Sequence, residues 1–241
     1  MADHVMAVAA PRCTLHSAAV EPFLALCRAA GHAGFDLQVV SSFRDFAQQC
    51  RIWNAKYRGE RPVLDRRGRP LDVATLAPRR RVETLLCWSA LPGASRHHWG
   101  TDVDVVDGRV LASGYSPRLE PAEYRRGGPF AALSDWLGRH LHRYGFYRPY
   151  PRSGTGVGAE PWHLSYAPIA RGALEGMTLE LLAAVIRGAG IEGEAEILAR
   201  LPTIRRRYVL AVASPPRMRS RWARIQPGAG TAGGADHSSR R

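Results

Sequence analysis

Residues 95–104, Ser-Arg-His-His-Trp-Gly-Thr-Asp-Val-Asp, are the stretch of sequence that decides the fold. In a β-strand successive side chains point to opposite faces, so Asp102 and Asp104 would share one face while the valines between and after them point to the other. The alternation predicts a strand over 101–107 whose valines enter the core and whose carboxylates line a cleft. With the histidines that precede it, this strand would contribute to a site built on strands and turns.

Helices and short strands alternate on both sides of this predicted strand. Some stretches place apolar residues at helical spacing, and others alternate branched apolar and polar residues. The predicted helices cover 15–30, 45–57, 80–89, 129–144, 178–188 and 193–204, and the other predicted strands cover 36–41 and 162–166. This mixed order of elements favours an α+β domain.

Two arginine-rich segments interrupt or follow these elements. Residues 58–81 carry arginine, glycine and proline with little periodicity, which predicts an exposed loop. After Pro215 the composition reduces mainly to Arg, Gly, Ala and Ser, which cannot bury enough apolar surface to offset the entropy of ordering. We therefore expect a single domain over 1–213 and a basic, disordered tail over 214–241.

Composition and charge exclude several classes of protein. The chain has 241 residues, 45% of them hydrophobic, which is enough for one sizeable core and excludes disorder throughout. Its net charge is +13, and the excess lies in 51–81 and 205–241. No recognition-helix, RNP or zinc-finger signature accompanies that charge, so specific nucleic-acid binding is not expected. No window approaches the roughly 18 apolar residues that a membrane helix needs, so no transmembrane segment is expected.

The cysteines and the first residues carry weaker signals. The apolar run over 5–10 is shorter than a signal-peptide core and follows no cationic residue, so no export signal is visible. The four cysteines lack a CxxC pair, which excludes a thiolate zinc knuckle and a thioredoxin-like motif. Buried free thiols and a disulfide both stay open for Cys13, Cys27, Cys50 and Cys87.

Three of the nine histidines stand beside carboxylates, two within 95–104 and one in Glu160-Pro-Trp-His163. A catalytic zinc takes three protein ligands and keeps one open position, and a carboxylate that is not a ligand can take a proton from water there. His97, Asp104 and His163 meet the need for ligands, and Glu160 meets the need for a base. On these residues alone, an ordinary loop and strand hydrogen-bonded to each other explains the pattern equally well.

Three separated motifs in the same order resemble those of a known group. The stretches at 95–104 and 160–163 are similar to the zinc-site signature of the LAS group of bacterial peptidoglycan metallopeptidases, which includes D-alanyl-D-alanine carboxypeptidases, dipeptidases and the signalling domain of hedgehog proteins. Residues 41–49, Ser-Ser-Phe-Arg-Asp-Phe-Ala-Gln-Gln, resemble its aromatic-arginine motif. The match runs from about 36 to 168, and WSALPGASRHHWGTDVDV and EPWHLSYAP are most like its D,D-carboxypeptidase branch.

The resemblance implies a fold and a metal centre. The fold would be a small central antiparallel sheet flanked by helices, with zinc in a cleft on the sheet. His97, Asp104 and His163 would hold Zn²⁺, and Glu160 would act first as general base and then as general acid. Hydrolysis by a zinc-activated water needs no covalent intermediate.

The resemblance also implies substrate-binding residues. Arg44 would grip the terminal carboxylate of the substrate, because a guanidinium pairs with a planar carboxylate through two hydrogen bonds. Gln49 and Ser95 correspond to positions that line the substrate cleft.

Two alternatives concern the ligand set. Asp102 departs from the group's pattern, in which many members carry a small residue at this position. It would either orient a ligand imidazole or replace Asp104 as a ligand if the strand register slipped. His98 competes with His97, although the spacing of the group's motif selects His97.

The expected activity is removal of the terminal D-alanine from peptidoglycan stem peptides, which would be the partners of this protein. The alternatives are a D-Ala-D-Ala dipeptidase, an endopeptidase for the L-Ala-D-Glu bond, and a zinc-containing binding module without catalysis, against which the presence of Glu160 argues. The expected oligomeric state is a monomer. The resemblance implies the cell envelope or periplasm as the location.

Overall fold

The strand predicted over 101–107 lies inside a four-stranded antiparallel sheet. A computed structural model describes residues 3–65, 68–152 and 156–215 of the chain. Its strands are β1 (Val5–Val8), β2 (Cys13–His16), β3 (Leu37–Ser41), β4 (Asp102–Asp107), β5 (Phe146–Tyr147) and β6 (His163–Tyr166). The sheet has the order β3-β4-β6-β5, and β1 pairs with β2 in a separate hairpin. The predicted tail lies outside the described residues, apart from its first two positions.

Nine α-helices surround the sheet in the described part of the chain. They are α1 (Ser17–His32), α2 (Phe46–Tyr57), α3 (Pro78–Leu85), α4 (Gly108–Ala112), α5 (Ala131–His140), α6 (Ala167–Glu175), α7 (Leu179–Ile186), α8 (Glu194–Ala199) and α9 (Leu201–Ile204). Asp45 caps α2 because its carboxylate accepts the Gln48 N–H, and Thr178 caps α7 in the same way. None of these helices has the length and apolar character that crossing a bilayer requires.

Two large apolar clusters and a smaller third one around Tyr124, Phe130 and Trp162 stabilise the fold, and the site lies between the two large clusters. One packs α1 and α5 against the sheet through residues such as Phe23, Val103 and Leu137. The other packs α2 and α3 against α7–α9 through residues such as Trp53 and Leu182. Residues of the second cluster and the polar ends of β4 and β6 line the same cavity, of about 630 Å³.

The predicted fold class is confirmed, since helices flank a small antiparallel sheet. The helices and strands listed from the sequence are present within a few residues of the expected ends, although the stretch at 193–204 divides into α8 and α9. The hairpin β1–β2, the two-residue strand β5, and the helices α4 and α6 were not predicted.

The segment 58–81 is not simply an exposed loop. Val63 and Val73 are buried in the second cluster, and Val73–Thr75 forms a 3₁₀ turn capped by Asp72. The prediction was wrong at these positions because isolated apolar residues in a segment without periodicity give no sign of the surface against which they pack.

Candidate active site

His97 is positioned by a short 3₁₀ helix, Arg96–Trp99, that ends at Gly100 in the left-handed conformation (φ 69°). Its side chain is buried, and Nδ1 lies 2.8 Å from the carbonyl oxygen of Ser42. Because a carbonyl only accepts hydrogen bonds, this contact assigns the proton to Nδ1. The lone pair on Nε2 therefore faces Asp104, whose Oδ2 is 3.4 Å away.

The register of β4 against β6 brings Asp104 directly opposite His163. His163 Nε2 donates to Asp102 Oδ1 at 2.8 Å. The other ring nitrogen, Nδ1, then faces two carboxylates, at 3.2 Å from Asp104 Oδ1 and 3.1 Å from Glu160 Oε2. The ring of His163 also lies edge-on to that of His97, with 4.9 Å between centroids.

This arrangement fits a divalent cation. Nδ1 of His97 and Nε2 of His163 each donate a hydrogen bond away from the cluster. In the neutral rings the other nitrogen carries a lone pair that faces the Asp104 carboxylate, so hydrogen-bond acceptors face one another and a cation would fit between them. Asp104 Oδ1 is buried and accepts no hydrogen bond. Within the part of the chain that the structure describes, these three side chains form the one group of His, Cys, Asp or Glu close enough to share a metal ion. Two imidazole nitrogens and one carboxylate are a donor set that suits zinc.

The electrostatics of the site follow from burial and close charges. Burial, and then the nearby Arg44, lower the pKa of His97 to about 3. Burial would also lower the pKa of His163, but the adjacent carboxylates of Asp102, Asp104 and Glu160 raise it well above its usual value. Without a cation at the cluster, His163 thus holds a proton that balances part of the carboxylate charge.

Asp102 has a different role from Asp104. It is fully buried, accepts from His163, and forms an ion pair with Arg96 Nε at 2.9 Å. Burial would raise the pKa of this carboxyl group, but Arg96 and His163 outweigh it and hold the pKa below its usual value. Ser165 donates to the second carboxylate oxygen at 3.1 Å. In this geometry Asp102 orients the imidazole of His163, and the register does not slip.

His98 points away from the cluster. Its Nδ1 donates to the carbonyl oxygen of Arg44 at 2.7 Å, and its Nε2 accepts from the N–H of Gly93 at 3.1 Å. Both ring nitrogens are therefore used to hold the chain around Arg44. Of the two adjacent histidines, His97 is the one that reaches the cluster.

Arg44, Gln49 and Ser95 line the same cavity as the cluster. Arg44 donates to Gln49 Oε1 at 2.9 Å, and the amide nitrogen of Gln49 donates to the carbonyl oxygen of Ala90 at 2.7 Å, so Gln49 fixes the guanidinium. Burial lowers the pKa of Arg44 although Asp104 and Glu160 raise it. Arg44 Nε and Ser95 Oγ are buried without a partner among the described residues, which leaves both available to a ligand.

Three further side chains at the site were not singled out from the sequence. Arg96 packs over Trp99 and donates to Tyr147 and Ser165, and its position before the histidines gave no sign of this buried pairing. Tyr150 lies edge-on to His163, 5.3 Å between centroids. Lys56 lines the cavity. It is the only lysine in the chain, and this rarity is the one feature of the sequence that could have pointed to it.

The sheet and the cavity together define a class of protein. A substrate-sized cavity holds a buried group of metal-binding donors, a carboxylate at its edge and a guanidinium without an acidic partner among the described residues, all beside a small antiparallel sheet. This is the arrangement of an α+β hydrolase.

Comparison with known proteins identifies the family. The profile of the VanY family, described as D-alanyl-D-alanine carboxypeptidase, matches residues 12–169. The chain belongs to this family of peptidases. The matched residues 12–169 include every residue that the motifs singled out.

Individual relatives match different shares of the chain. An uncharacterised protein of Haemophilus influenzae is 40% identical over 129 residues, which are 53% of this chain and 96% of the relative. A D-alanyl-D-alanine carboxypeptidase of Enterococcus faecalis is 34% identical over 85 residues, 34% of this chain and 26% of that enzyme. The solved structure of VanYB in complex with D-alanine-D-alanine has the same fold, with a TM-score of 0.51 at 20% identity over 72% of this chain and 89% of that chain.

Proposed function

We propose that this protein is a zinc-dependent D,D-carboxypeptidase that removes the terminal D-alanine from peptidoglycan stem peptides. The observation that carries the proposal is the convergence in one cavity of a metal-binding group, the Glu160 carboxylate and the Arg44 guanidinium. The family to which the chain belongs supports the class of substrate.

Zn²⁺ would be held by His97 Nε2, Asp104 and His163 Nδ1. When bound there, it would polarise the scissile carbonyl group and lower the pKa of a water molecule to about 7. The chain's own task is to hold each imidazole with the correct nitrogen facing the cation. The carbonyl oxygen of Ser42 and the carboxylate of Asp102 do so by accepting the N–H on the far side of each ring.

Glu160 would move the proton. Its carboxylate lies at the edge of the cluster, 3.1 Å from His163 Nδ1, and is largely buried. As the water oxygen bonds to the carbonyl carbon, the carboxylate takes one proton from that water. It returns the proton to the amide nitrogen as the C–N bond breaks, so that the products are a shortened stem peptide and free D-alanine.

Arg44 would select a substrate that ends at the leaving residue. Its unpartnered Nε and the guanidinium nitrogen not used by Gln49 face no carboxylate within ion-pair distance among the described residues. A terminal carboxylate supplies the missing acceptors in the two-point geometry that guanidinium favours. An endopeptidase has less need of such a clamp.

The test is release of D-alanine from a stem pentapeptide that ends in D-Ala-D-Ala. We expect activity with the zinc-loaded protein, loss on chelation, and recovery on adding zinc back. Glu160→Gln should lower kcat by about 10²- to 10⁴-fold. The matched control is Glu120→Gln, which neutralises another carboxylate lining the same cavity and paired with Arg118. If the zinc-loaded protein and Glu160→Gln are equally inert, the proposal fails.

Further substrates distinguish the alternatives within the family. Faster cleavage of free D-Ala-D-Ala would indicate a dipeptidase, and cleavage of an L-Ala-D-Glu bond would indicate an endopeptidase. Arg44→Ala should reduce turnover of the pentapeptide far more than turnover of its C-terminal amide. An equal loss on both peptides would count against the carboxylate clamp.

The cell envelope is the proposed place of action, because that is where stem peptides occur. The basic residues of the 51–81 segment and of the chain after 204 would hold the enzyme near anionic wall polymers by long-range attraction. Fractionation of cells with an antibody against the protein tests the location.

A further inference from the structure

Lys56 lies on the face of α2 that looks into the cavity. It follows Gln49 by seven residues, which is two helical turns, so both side chains are on one face of α2. Lys56 Nζ donates to Ser89 Oγ at 2.6 Å, and both residues line the cavity. An ammonium group has three N–H bonds, and the other two have no partner among the described residues.

Hydrogen bonds to two adjacent residues place Lys56 on the Arg44 side of the metal-binding cluster. Lys56 donates to Ser89, and Gln49, which accepts from Arg44, donates to the carbonyl oxygen of Ala90. Burial, then the positive charges of Arg44 and Arg61, lower the pKa of Lys56 to about 8, and Glu160 acts in the opposite direction. Since Arg44 is the group that would hold the carboxylate of the leaving residue, these hydrogen bonds put Lys56 on the side of the cavity where the leaving residue would lie.

Two half-buried cations, Arg44 and Lys56, share this part of the cavity without an acidic partner among the described residues, whereas Arg61, which also lines the cavity, is exposed to solvent. The side-chain partner of Arg44 is the amide of Gln49, and that of Lys56 is the hydroxyl of Ser89. Neither forms an ion pair within 4 Å with a described residue. By contrast, Arg96 and Arg118, which also line the cavity, pair with Asp102 and Glu120. Keeping two neighbouring cations partly out of water is costly unless anions complement them.

The terminal carboxylate of the leaving residue would complement the charge of Arg44 and leave that of Lys56 without an anion. We propose that Lys56 binds a second carboxylate, carried by the side chain of the leaving amino acid, so that the cavity favours peptides whose terminal residue is dicarboxylic. This inference rests on the proposed function, since it takes the leaving residue to lie at Arg44. It names acidic leaving residues as a substrate class beyond D-alanine.

The test compares three stem pentapeptides that end in D-Ala-D-Ala, D-Ala-D-Glu and D-Ala-D-Gln. D-Glu and D-Gln have nearly the same shape and differ in charge, so the ratio of their kcat/KM values reports the second carboxylate. We expect the full-length zinc-loaded protein to prefer D-Glu by about tenfold, which corresponds to about 1.4 kcal/mol. Lys56→Gln should abolish the preference, and Lys56→Arg should retain much of it.

Arg51→Gln is the matched control, because Arg51 is an exposed cation on the same helix that does not line the cavity. It should leave the ratio unchanged. The preference should also fall as the pH rises from 7 to 9.5, since burial and nearby cations lower the pKa of Lys56 to about 8 and its charge is lost over this range. Taking the ratio of two substrates cancels the effects of pH that are common to both. Equal use of D-Glu and D-Gln by the wild-type protein, or an unchanged preference in Lys56→Gln, would overturn the inference.

Binding separates this inference from the proposed function. The affinities of N-acetyl-D-Ala-D-Glu and N-acetyl-D-Ala-D-Gln are measured by calorimetry with the Glu160→Gln protein. If no peptide is cleaved but D-Glu binds tighter in a way that depends on Lys56, the proposed function fails and the second carboxylate site stands. If D-alanine is released but the two acetylated dipeptides bind equally, the proposed function stands and the role of Lys56 is wrong.

Discussion

At the scale of single residues, the two nitrogens of His163 have opposite tasks. Nε2 donates to Asp102, and Nδ1 faces Asp104 and Glu160. The first contact fixes the ring, and the second leaves one nitrogen available for a cation. Burial lowers the pKa of His163, but the carboxylates of Asp102, Asp104 and Glu160 outweigh it and raise the pKa above its usual value, so a proton takes the place of the cation when none is bound.

Zinc binding should therefore release a proton. Near pH 7 the metal-free protein carries the proton on His163, and a metal ion binds only the neutral ring, so about one proton should leave per ion bound. Calorimetric titration in two buffers of different ionisation enthalpy measures this number. The release should fall as the pH rises above the raised pKa of His163. Absence of release at pH 7 would show that His163 is neutral without metal.

Replacing Asp102 should weaken metal binding without removing a ligand. In Asp102→Asn the ring of His163 loses its carboxylate acceptor, and we expect zinc affinity to fall by about 10- to 100-fold in competition with a chelator. Asp107→Asn is a matched control on the same strand, because buried Asp107 caps α4 and accepts from the Asp36 N–H away from the cluster. Equal affinities of the two variants would contradict the role given to Asp102.

The Asp102 substitution also has an effect on stability with a defined sign. The pKa of Asp102 is lower in the folded protein than in the unfolded chain. Its ion pair with Arg96 thus stabilises the fold above about pH 4, and this stabilisation is lost as the pH falls further. The difference in unfolding free energy between wild type and Asp102→Asn should accordingly shrink in acid.

At the scale of elements, the junction between the 3₁₀ helix and β4 decides where the ligands meet. Gly100 turns the chain with a positive φ, and its carbonyl oxygen accepts from the N–H of His16 at the end of β2. The hairpin β1–β2, which the sequence did not predict, therefore supports the turn that presents His97. A Cβ atom at position 100 would lie 2.5 Å from Val5 and 2.7 Å from the backbone nitrogen of His16.

Gly100→Ala should destabilise the protein more than Gly114→Ala. Both glycines have a positive φ, which costs an alanine about 1–2 kcal/mol, but a Cβ atom at Gly114 would meet nothing within 4 Å. The collision at position 100 should add about 1–3 kcal/mol. Denaturant unfolding measures both values, and zinc affinity should fall in Gly100→Ala alone. Equal unfolding free energies of the two variants would show that the hairpin β1–β2 moves to accommodate the Cβ atom at position 100 without loss of stability.

At the scale of the whole molecule, the part of the chain after the family match completes the second apolar cluster. Helices α7–α9 pack on α2 and α3, and Trp53 Nε1 donates to the carbonyl oxygen of Glu192 at 3.0 Å. Tyr208 and Val209 reach the cavity itself. Helix α2, which carries Gln49 and Lys56, is thus held from behind by residues that no catalytic motif includes.

Removing residues 214–241 should separate turnover from retention on the cell wall. The part of the chain after 204 carries nine arginines and one acidic residue, and most of them lie in the segment removed. Cleavage of small peptides should be unchanged, while retention on isolated wall material at low salt should weaken. Unchanged retention, or a difference that persists at high salt, would count against an electrostatic role.

The sequence by itself determined the strands and helices with strong periodicity, the fold class and the cluster of motifs. Alternation over 101–107 and the spacing of the histidines are local properties, and a local pattern can be recognised in the sequence without knowledge of the residues that pack against it. Short or irregular pieces such as β5, the hairpin and the buried valines of 58–81 depend on distant surfaces, and the sequence carried no comparable signal for them.

Only the tertiary structure gives the physical reason why His97 and Asp104, which the motif spacing favoured, face the cluster in place of His98 and Asp102. The choice between His97 and His98, and between Asp102 and Asp104, depends on strand register and on the hydrogen bonds of each ring, which form between residues more than 50 positions apart. The pairing of Arg96 with Asp102 and the approach of Lys56 to Arg44 have the same origin. Burial and close contact set these charges and donors, and both arise only when the chain has folded.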